Sequence, residues 1–330
     1  MRTRSLGKTG IKLSELSLGT WGLASGAYGP VGLSQFVRTL SAAYDKGIRS
    51  FDMAPLWGEG ESESTVAMAV GPRRSEVVYV TRAGRRMEKD KTLSDFSVKQ
   101  LRKDCEKSLE RLQTDYIDVW LLHNPPESGY DKDEVAALAG KLKEEGKIKS
   151  FGVSIGSVTA GRDALQMGAE VICYVHHLLN PSIWNALGTV FKEKECGLLV
   201  RSVLAHGLLC GHWGSTKSFV KGDHRAERWK ADTFAVRLRQ LSNFRFLLEA
   251  SLRSMSHAAF RYALSEAQVS SLLLGAKNPA QIDEALAALE EQSALSETLK
   301  NRIAEVQRGV WISSAGDIAS NEPATVAREQ

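Results

Sequence analysis

Short runs of aliphatic and β-branched residues recur along the chain, and between them lie windows in which apolar residues return every three or four positions. The runs are LSLGTW, IRSFDMA, EVVYVTRA, YIDVWLLH, IKSFGVSI, EVICYVHH, GLLVRSVL and SSLLLGA. Each is short and almost continuously apolar, the pattern of a strand covered on both faces. In the window 94–112, Val98, Leu101, Cys105, Leu109 and Leu112 fall on one helical face. Strand and helix therefore alternate, which predicts a parallel sheet of βα units, and eight strands close a (β/α)8 TIM barrel over about residues 13–290. Two short alternating runs flank Lys8-Thr9-Gly10 and predict an N-terminal β-hairpin over 3–15 that plugs the barrel floor. An extra C-terminal helix is expected near 295–312, followed by a loosely held tail over 313–330. No Pro/Gly/Ser-rich linker divides residues 1–330, so one barrel is expected to take up the whole chain.

Composition narrows the function classes. Of the 330 residues, 43% are apolar and 25% charged, and the net charge is +4, an excess that suits anionic small ligands better than a nucleic-acid stripe. No stretch approaches the roughly 18 consecutive apolar residues of a membrane span, so no membrane partner is expected and cytoplasmic residence is the default. Cys105, Cys173, Cys196 and Cys210 have neither zinc-ligand spacing nor disulfide-scaffold density, and predict free thiols and no metal. His176 and His177 are adjacent on a strand and point to opposite faces, a poor arrangement for one ion.

In a barrel of this kind chemistry sits where the strands run out at their C-terminal ends. Those positions carry Asp52, Arg82, His123, Ser154, His176, His177 and Arg201. The loop RAGRRMEKDK after the third strand adds cations that would draw in an acidic substrate, or form a solvated loop.

LGTW at 18–21, FDMAPLWGEGESE at 51–63, SLERLQTDYIDVWLLHNP at 108–125, FGVS at 151–154, HGLLCG at 206–211 and LLLGAKNPAQIDEAL at 272–286 stand in the order and spacing of one family. In these motifs the chain resembles the aldo-keto reductase superfamily over nearly its whole length. The resemblance implies a barrel that binds NADP(H) in extended form and transfers hydride to a carbonyl with help from an Asp, Tyr, Lys and His set. Asp52 and His123 match that set. Where the family has tyrosine the chain has Trp57, and where it has lysine it has Arg82. An indole does not ionise and a guanidinium stays charged above pH ~12, so the phenol–ammonium proton relay is absent. Arg82, the Trp57 N–H and His123 remain able to direct donors at a developing oxyanion. Equally, Asp52 with Arg82 forms a plain ion pair, and Trp57 a pocket wall. Tyr28, Tyr130 and Glu59 are the nearby residues open as a relocated acid.

The resemblance places Trp21, Ser154, Cys173, Arg201, Gly275, Lys277, Gln281 and Glu284 at the cofactor. Asn278-Pro279 reads as an N-cap with proline at the first helical position, and Gln281 completes a capping box. A helix start beside Lys277 is an anion site, suited to a 2′-phosphate. At the nicotinamide end only Ser154 keeps the family's residue type; Ile155 and Cys173 replace amide side chains. Three functions follow: an NADP(H)-dependent oxidoreductase on a carbonyl or alcohol substrate with a non-standard proton donor; a lyase, dehydratase or isomerase on the same scaffold; and a catalytically silent regulatory protein that binds NADP(H) or a metabolite.

Overall fold

The computed structural model describes residues 1–312 apart from 90, 251 and 291–294; the expected tail lies outside the described residues. Strands β1 (Thr3–Ser5) and β2 (Lys12–Ser14) form the antiparallel N-terminal hairpin, with Thr3 opposite Ser14. A closed parallel barrel follows, built from β3 (Leu16–Gly19), β4 (Ser50–Asp52), β5 (Val78–Ala83), β8 (Ile117–His123), β9 (Ile148–Ser154), β10 (Val171–Val175), β11 (Gly197–Arg201) and β12 (Val269–Gly275). The strands lie in chain order around the barrel, and β12 closes it on β3 with Leu272 opposite Leu16. Each of the eight apolar runs supplies one barrel strand.

Alternation along the strands divides the buried residues into two layers. On β8, Val119 and Leu121 point into the barrel, while Trp120 and Leu122 face the helices outside. Leu6 and Leu13 of the hairpin region join the inner layer, packing against Val80, Val119, Val171, Leu199 and Leu273, as expected of a floor plug. A string of serine hydroxyls runs beside them, with Ser17 bonded to Ser50 at 2.5 Å and to Ser271 at 2.7 Å. Covering helices begin on side-chain caps: Ser97 accepts from the Gln100 N–H, Asp131 from Glu134 and Ser157 from Ala160. Glu297–Ile312 forms the expected last helix.

Two elements were not legible as periodic segments. Strands β6 (Arg85–Glu88) and β7 (Lys91–Ser94) make an antiparallel hairpin at the barrel mouth from the cationic loop after β5. Residues between β11 and the helix Met255–Leu264 form short helices, including His224–Arg228 and Ala231–Ser242, packed through Phe234, Phe244 and Leu247 on Leu179, Leu208 and Ile303. They roof one side of the mouth. No described helix is long and apolar enough to cross a membrane.

Candidate active site

Strand alternation explains which side chains reach the mouth. Tyr79 and Thr81 face outward, so Val80 and Arg82 face inward, and Arg82 stands two residues past Val80, the partner of Asp52 at the end of β4. The Arg82 guanidinium donates to Asp52 Oδ1 at 2.6 Å and to the Met53 carbonyl at 2.8 Å, and it reaches the Cys173 thiol at 3.6 Å. Both partners are almost fully buried. Burial pushes the Cys173 thiol up, against the lowering effect of Arg82.

Trp57 follows β4 on a loop whose turn uses Gly58 at φ 63°, Glu59 at φ 53° and Gly60 at φ 92°. Only glycine suits position 60, where an added Cβ would also sit 2.6 Å from Arg111 Cδ. Arg111 in turn donates to Glu63 at 2.6 Å, and Glu63, wholly buried, accepts from Thr81 at 2.5 Å. This chain of contacts ties the Trp57 loop to the strand that carries Arg82. The Trp57 indole lies with its ring centre 4.9 Å from the Arg82 guanidinium carbon, and His123 meets it edge-on at 6.1 Å.

One cavity of about 1210 Å³ opens at the mouth. Asp52, Trp57, Arg82 and Arg201 line its floor, Trp21 and Tyr28 one wall, and Gly275, Lys277, Gln281 and Glu284 its far end. His123, Ser154 and Cys173 are fully buried and do not line it. His123 stands behind Trp57. The Ser154 hydroxyl turns to Asn124 Oδ1 at 2.9 Å, and Arg201 reaches across to donate to the Ile155 carbonyl at 3.3 Å. Of the candidate acids, only Tyr28 lines the cavity; its hydroxyl meets His206 Nδ1 at 3.2 Å, and burial raises its pKa well above the ordinary phenol range. Tyr130 instead packs on Phe96, and Glu59 is exposed. Beyond Arg82 itself, no described residue of the cationic segment up to Lys91 lines the cavity.

At the far end Asn278 caps the helix Pro279–Glu290 by accepting from the Gln281 N–H at 3.0 Å. Gln281 Oε1 returns a bond to the Lys277 N–H at 2.8 Å, one residue earlier than a capping box requires. The Lys277 ammonium donates to the Tyr28 carbonyl at 2.6 Å.

The roof was missed at the level of sequence, although HWGSTKSFVKGDHRAERWK at 212–230 is dense in aromatic and cationic residues. His206, His224, Arg225, Arg228 and Trp229 all line the cavity. Tyr28 pairs with Asp223, Ala27 O accepts from His224 N at 2.8 Å, and the Arg225 guanidinium carbon lies 4.8 Å from the Tyr28 ring centre. Ser202, Ala205 and His206, just past β11, hold left-handed backbone at φ 56°, 46° and 56°. Such non-glycine conformations concentrate where a loop is held for function. His177 faces inward and lines the cavity, whereas His176 faces outward and stacks on Tyr262 at 4.9 Å. Burial pushes both imidazoles down to about 3.

Comparison with known proteins agrees with this architecture. The Aldo/keto reductase family pattern matches residues 15–308. The chain is 29% identical over 306 residues to L-galactose dehydrogenase of Arabidopsis thaliana, covering 88% of this chain and 89% of that protein. It is 28% identical over 324 residues to the NADH-specific methylglyoxal reductase of Escherichia coli (strain K12), covering 92% and 99%. Among solved structures, glycerol dehydrogenase AKR11B4 from Gluconobacter oxydans superposes with a TM-score of 0.81 at 26% identity, covering 97% of this chain and 98% of that one.

Proposed function

Because the chain belongs to the Aldo/keto reductase family, we propose that it is an NADP(H)-dependent oxidoreductase that interconverts a carbonyl compound and its alcohol without a tyrosine proton donor. The observation that carries this reading is the continuity of the cavity, which runs from the Asp52–Arg82 pair to the Asn278-capped helix start. Its volume exceeds the roughly 300–1,000 Å³ of an ordinary small-ligand pocket, giving room for an extended dinucleotide beside a small substrate.

The residues present fit the phosphate end of that cofactor. Lys277 and the helix start beside it would hold the 2′-phosphate, while Gln281 and Glu284 line the adenosine side. When bound, the cofactor supplies or accepts hydride. Arg82 fixes the Asp52 carboxylate, and the Trp57 Nε1–H, which is buried with no acceptor, offers a donor to an oxygen over the floor. The floor thereby stabilises negative charge but does not itself release a proton. Tyr28 is the ionisable hydroxyl that the cavity supplies for that task. The methylglyoxal reductase is NADH-specific, so the preference for the phosphorylated nucleotide rests on Lys277 and not on kinship.

The redox end favours a second reading. Ser154 and Cys173 stand behind the wall and Arg201 covers the Ile155 carbonyl, which suits a non-redox lyase, dehydratase or isomerase that uses the floor to stabilise an enolate. A panel of aldehydes and secondary alcohols, followed by NADPH absorbance at 340 nm in parallel with nucleotide titration, separates the two. Turnover with any member supports the oxidoreductase. Absence of both nucleotide binding and turnover removes the first reading and favours the second, whereas tight nucleotide binding with no turnover across the panel points to a silent binder of the nucleotide.

A further inference from the structure

We propose that Arg201 alone seats a carboxylate of the substrate, so that the protein takes keto acids or hydroxy acids. This deepens the oxidoreductase reading and rests on it for the carbonyl or alcohol, but not for the anion seat.

Arg201 ends β11 on the cavity floor, half-buried, opposite Val175 of β10 in the sheet register. Its side chain crosses the end of β10, and NH2 donates at 3.3 Å to the carbonyl of Ile155, just past β9. That bond is long and its acceptor is neutral. The Nε–H is buried with no partner, and NH1, which makes no bond, is not sealed from the cavity.

Arg201 has no carboxylate partner among the described residues. Of the acidic residues that line the cavity, Asp52 binds Arg82, Glu227 belongs to the roof helix His224–Arg228, and Glu284 to the helix Pro279–Glu290 at the far end. Arg82 and Arg225 are each held by a carboxylate, Asp52 and Asp223, at 2.6 Å. A half-buried charge left with one peptide carbonyl is incompletely neutralised, and an anion on its open edge completes it. One guanidinium matches the single charge and the plane of a carboxylate, whereas a phosphate group brings nearly two charges.

The seat adjoins the reacting centre. The Ile155 N–H donates to the Cys173 carbonyl at 2.8 Å, and the Cys173 thiol lies 3.6 Å from the Arg82 guanidinium. Both arginine charges act on that thiol. A carboxylate on Arg201 therefore sets the rest of a short substrate beside the Asp52–Arg82 pair, away from Lys277 at the phosphate end.

Quenching of tryptophan emission tests the seat with the monoanions oxamate, malonamate and succinamate, their neutral diamides, inorganic phosphate and NADPH, for wild type, Arg201→Gln and Arg201→Lys. Expected is at least one monoanion bound about tenfold or more tightly than its diamide. Arg201→Gln should lose roughly tenfold or more for that anion, the size of a lost charge-assisted hydrogen bond, and Arg201→Lys less, because it keeps the charge without the fork. Any loss for NADPH should be at least about threefold smaller than the loss for the anion. Equal binding of anions and diamides overturns the seat, as does a preference for the anion that Arg201→Gln leaves intact, since another cation would then hold it. A loss of NADPH affinity matching that of the anion assigns Arg201 to the dinucleotide and also overturns the seat. Phosphate bound through Arg201 more tightly than every monoanion overturns the carboxylate class. An anion preference that Arg201→Gln removes, in a protein that fails to bind NADPH, keeps the seat and removes the proposed cofactor. If Arg201→Gln does not fold, Arg201→Lys decides: a loss confined to the anion supports the seat, and unchanged anion affinity overturns it.

Discussion

Replacing a phenol by an indole at Trp57 and an ammonium by a guanidinium at Arg82 removes two groups that share a proton, yet leaves Asp52 paired at 2.6 Å. Trp57→Tyr with Arg82→Lys should therefore create NADPH-dependent reduction of generic aldehydes. A general-acid contribution is on the order of 10² to 10⁴ in rate, and only part is expected because His123 and Ser154 stay behind the wall. Wild-type rates on common aldehydes that equal those of the double variant would defeat this. Strand alternation made Asp52 and Arg82 legible in the sequence. The recess of His123 was not, because it depends on how an indole fills the space in front of it. A second residue-scale outcome concerns acid. His176 and His177 are held near 3, and His224 near 4, all by burial. Folded values below the unfolded ~6.5 mean that the unfolded chain binds more protons, so the stability is present above pH ~6.5 and is lost as pH falls toward those values. Each such group contributes a slope of up to about 1.4 kcal/mol per pH unit. Both His176 ring nitrogens lack partners, so His176→Phe should keep the Tyr262 stack and flatten the fall of Tm between pH 6.5 and 4.5. An unchanged slope would show that His176 does not carry it.

Elements legible in the sequence were those whose burial is complete on both faces. The barrel strands read as unbroken apolar runs, and the helices declared themselves by a three-to-four spacing and by caps such as Ser97 and Asp131. The β6–β7 hairpin and the roof escaped because their stretches are short and rich in cations, and because their burial comes from packing on other loops. Contacts between elements were equally hidden. Glu63 looks like an exposed helix-start acid, but it is buried between Arg111 on the helix Val98–Leu112 and Thr81 on β5. Removing one partner of a buried pair costs about 3–5 kcal/mol, and the quarter exposure of Arg111 reduces this to roughly 2–3 kcal/mol. Arg111→Ala should lower the unfolding free energy obtained from urea titration by that amount, seen as a lower midpoint, and shift Trp57 emission, since Gly60 rests on the same arginine. Glu63→Gln should cost less, because the amide oxygen still accepts from Arg111. A shift in midpoint with no change in emission would show that Arg111 stabilises the helix pair without holding the Trp57 loop.

At the scale of the whole molecule, the barrel supplies a floor and the segment after β11 supplies a roof, and the two meet around Tyr28. Its carbonyl accepts from Lys277, its backbone pairs with Asp223, and its hydroxyl meets His206. Lys277 therefore has two competing uses. In the free protein it fastens the loop that carries Tyr28, and in the proposed complex it faces a 2′-phosphate, a far stronger acceptor than a peptide carbonyl. Moving one ammonium onto a dianion is worth roughly 1.5–3 kcal/mol, or about 10- to 100-fold in affinity, and NADH offers nothing in exchange. Lys277→Met should accordingly weaken NADPH by that factor while leaving NADH within about threefold, abolishing the preference. The same substitution unfastens the Tyr28 loop, so nucleotide association measured by stopped-flow quenching should become faster for both nucleotides. Equal weakening of NADPH and NADH would mean that Lys277 acts through the roof alone, and the preference for the phosphorylated nucleotide would then have no physical basis at this helix start.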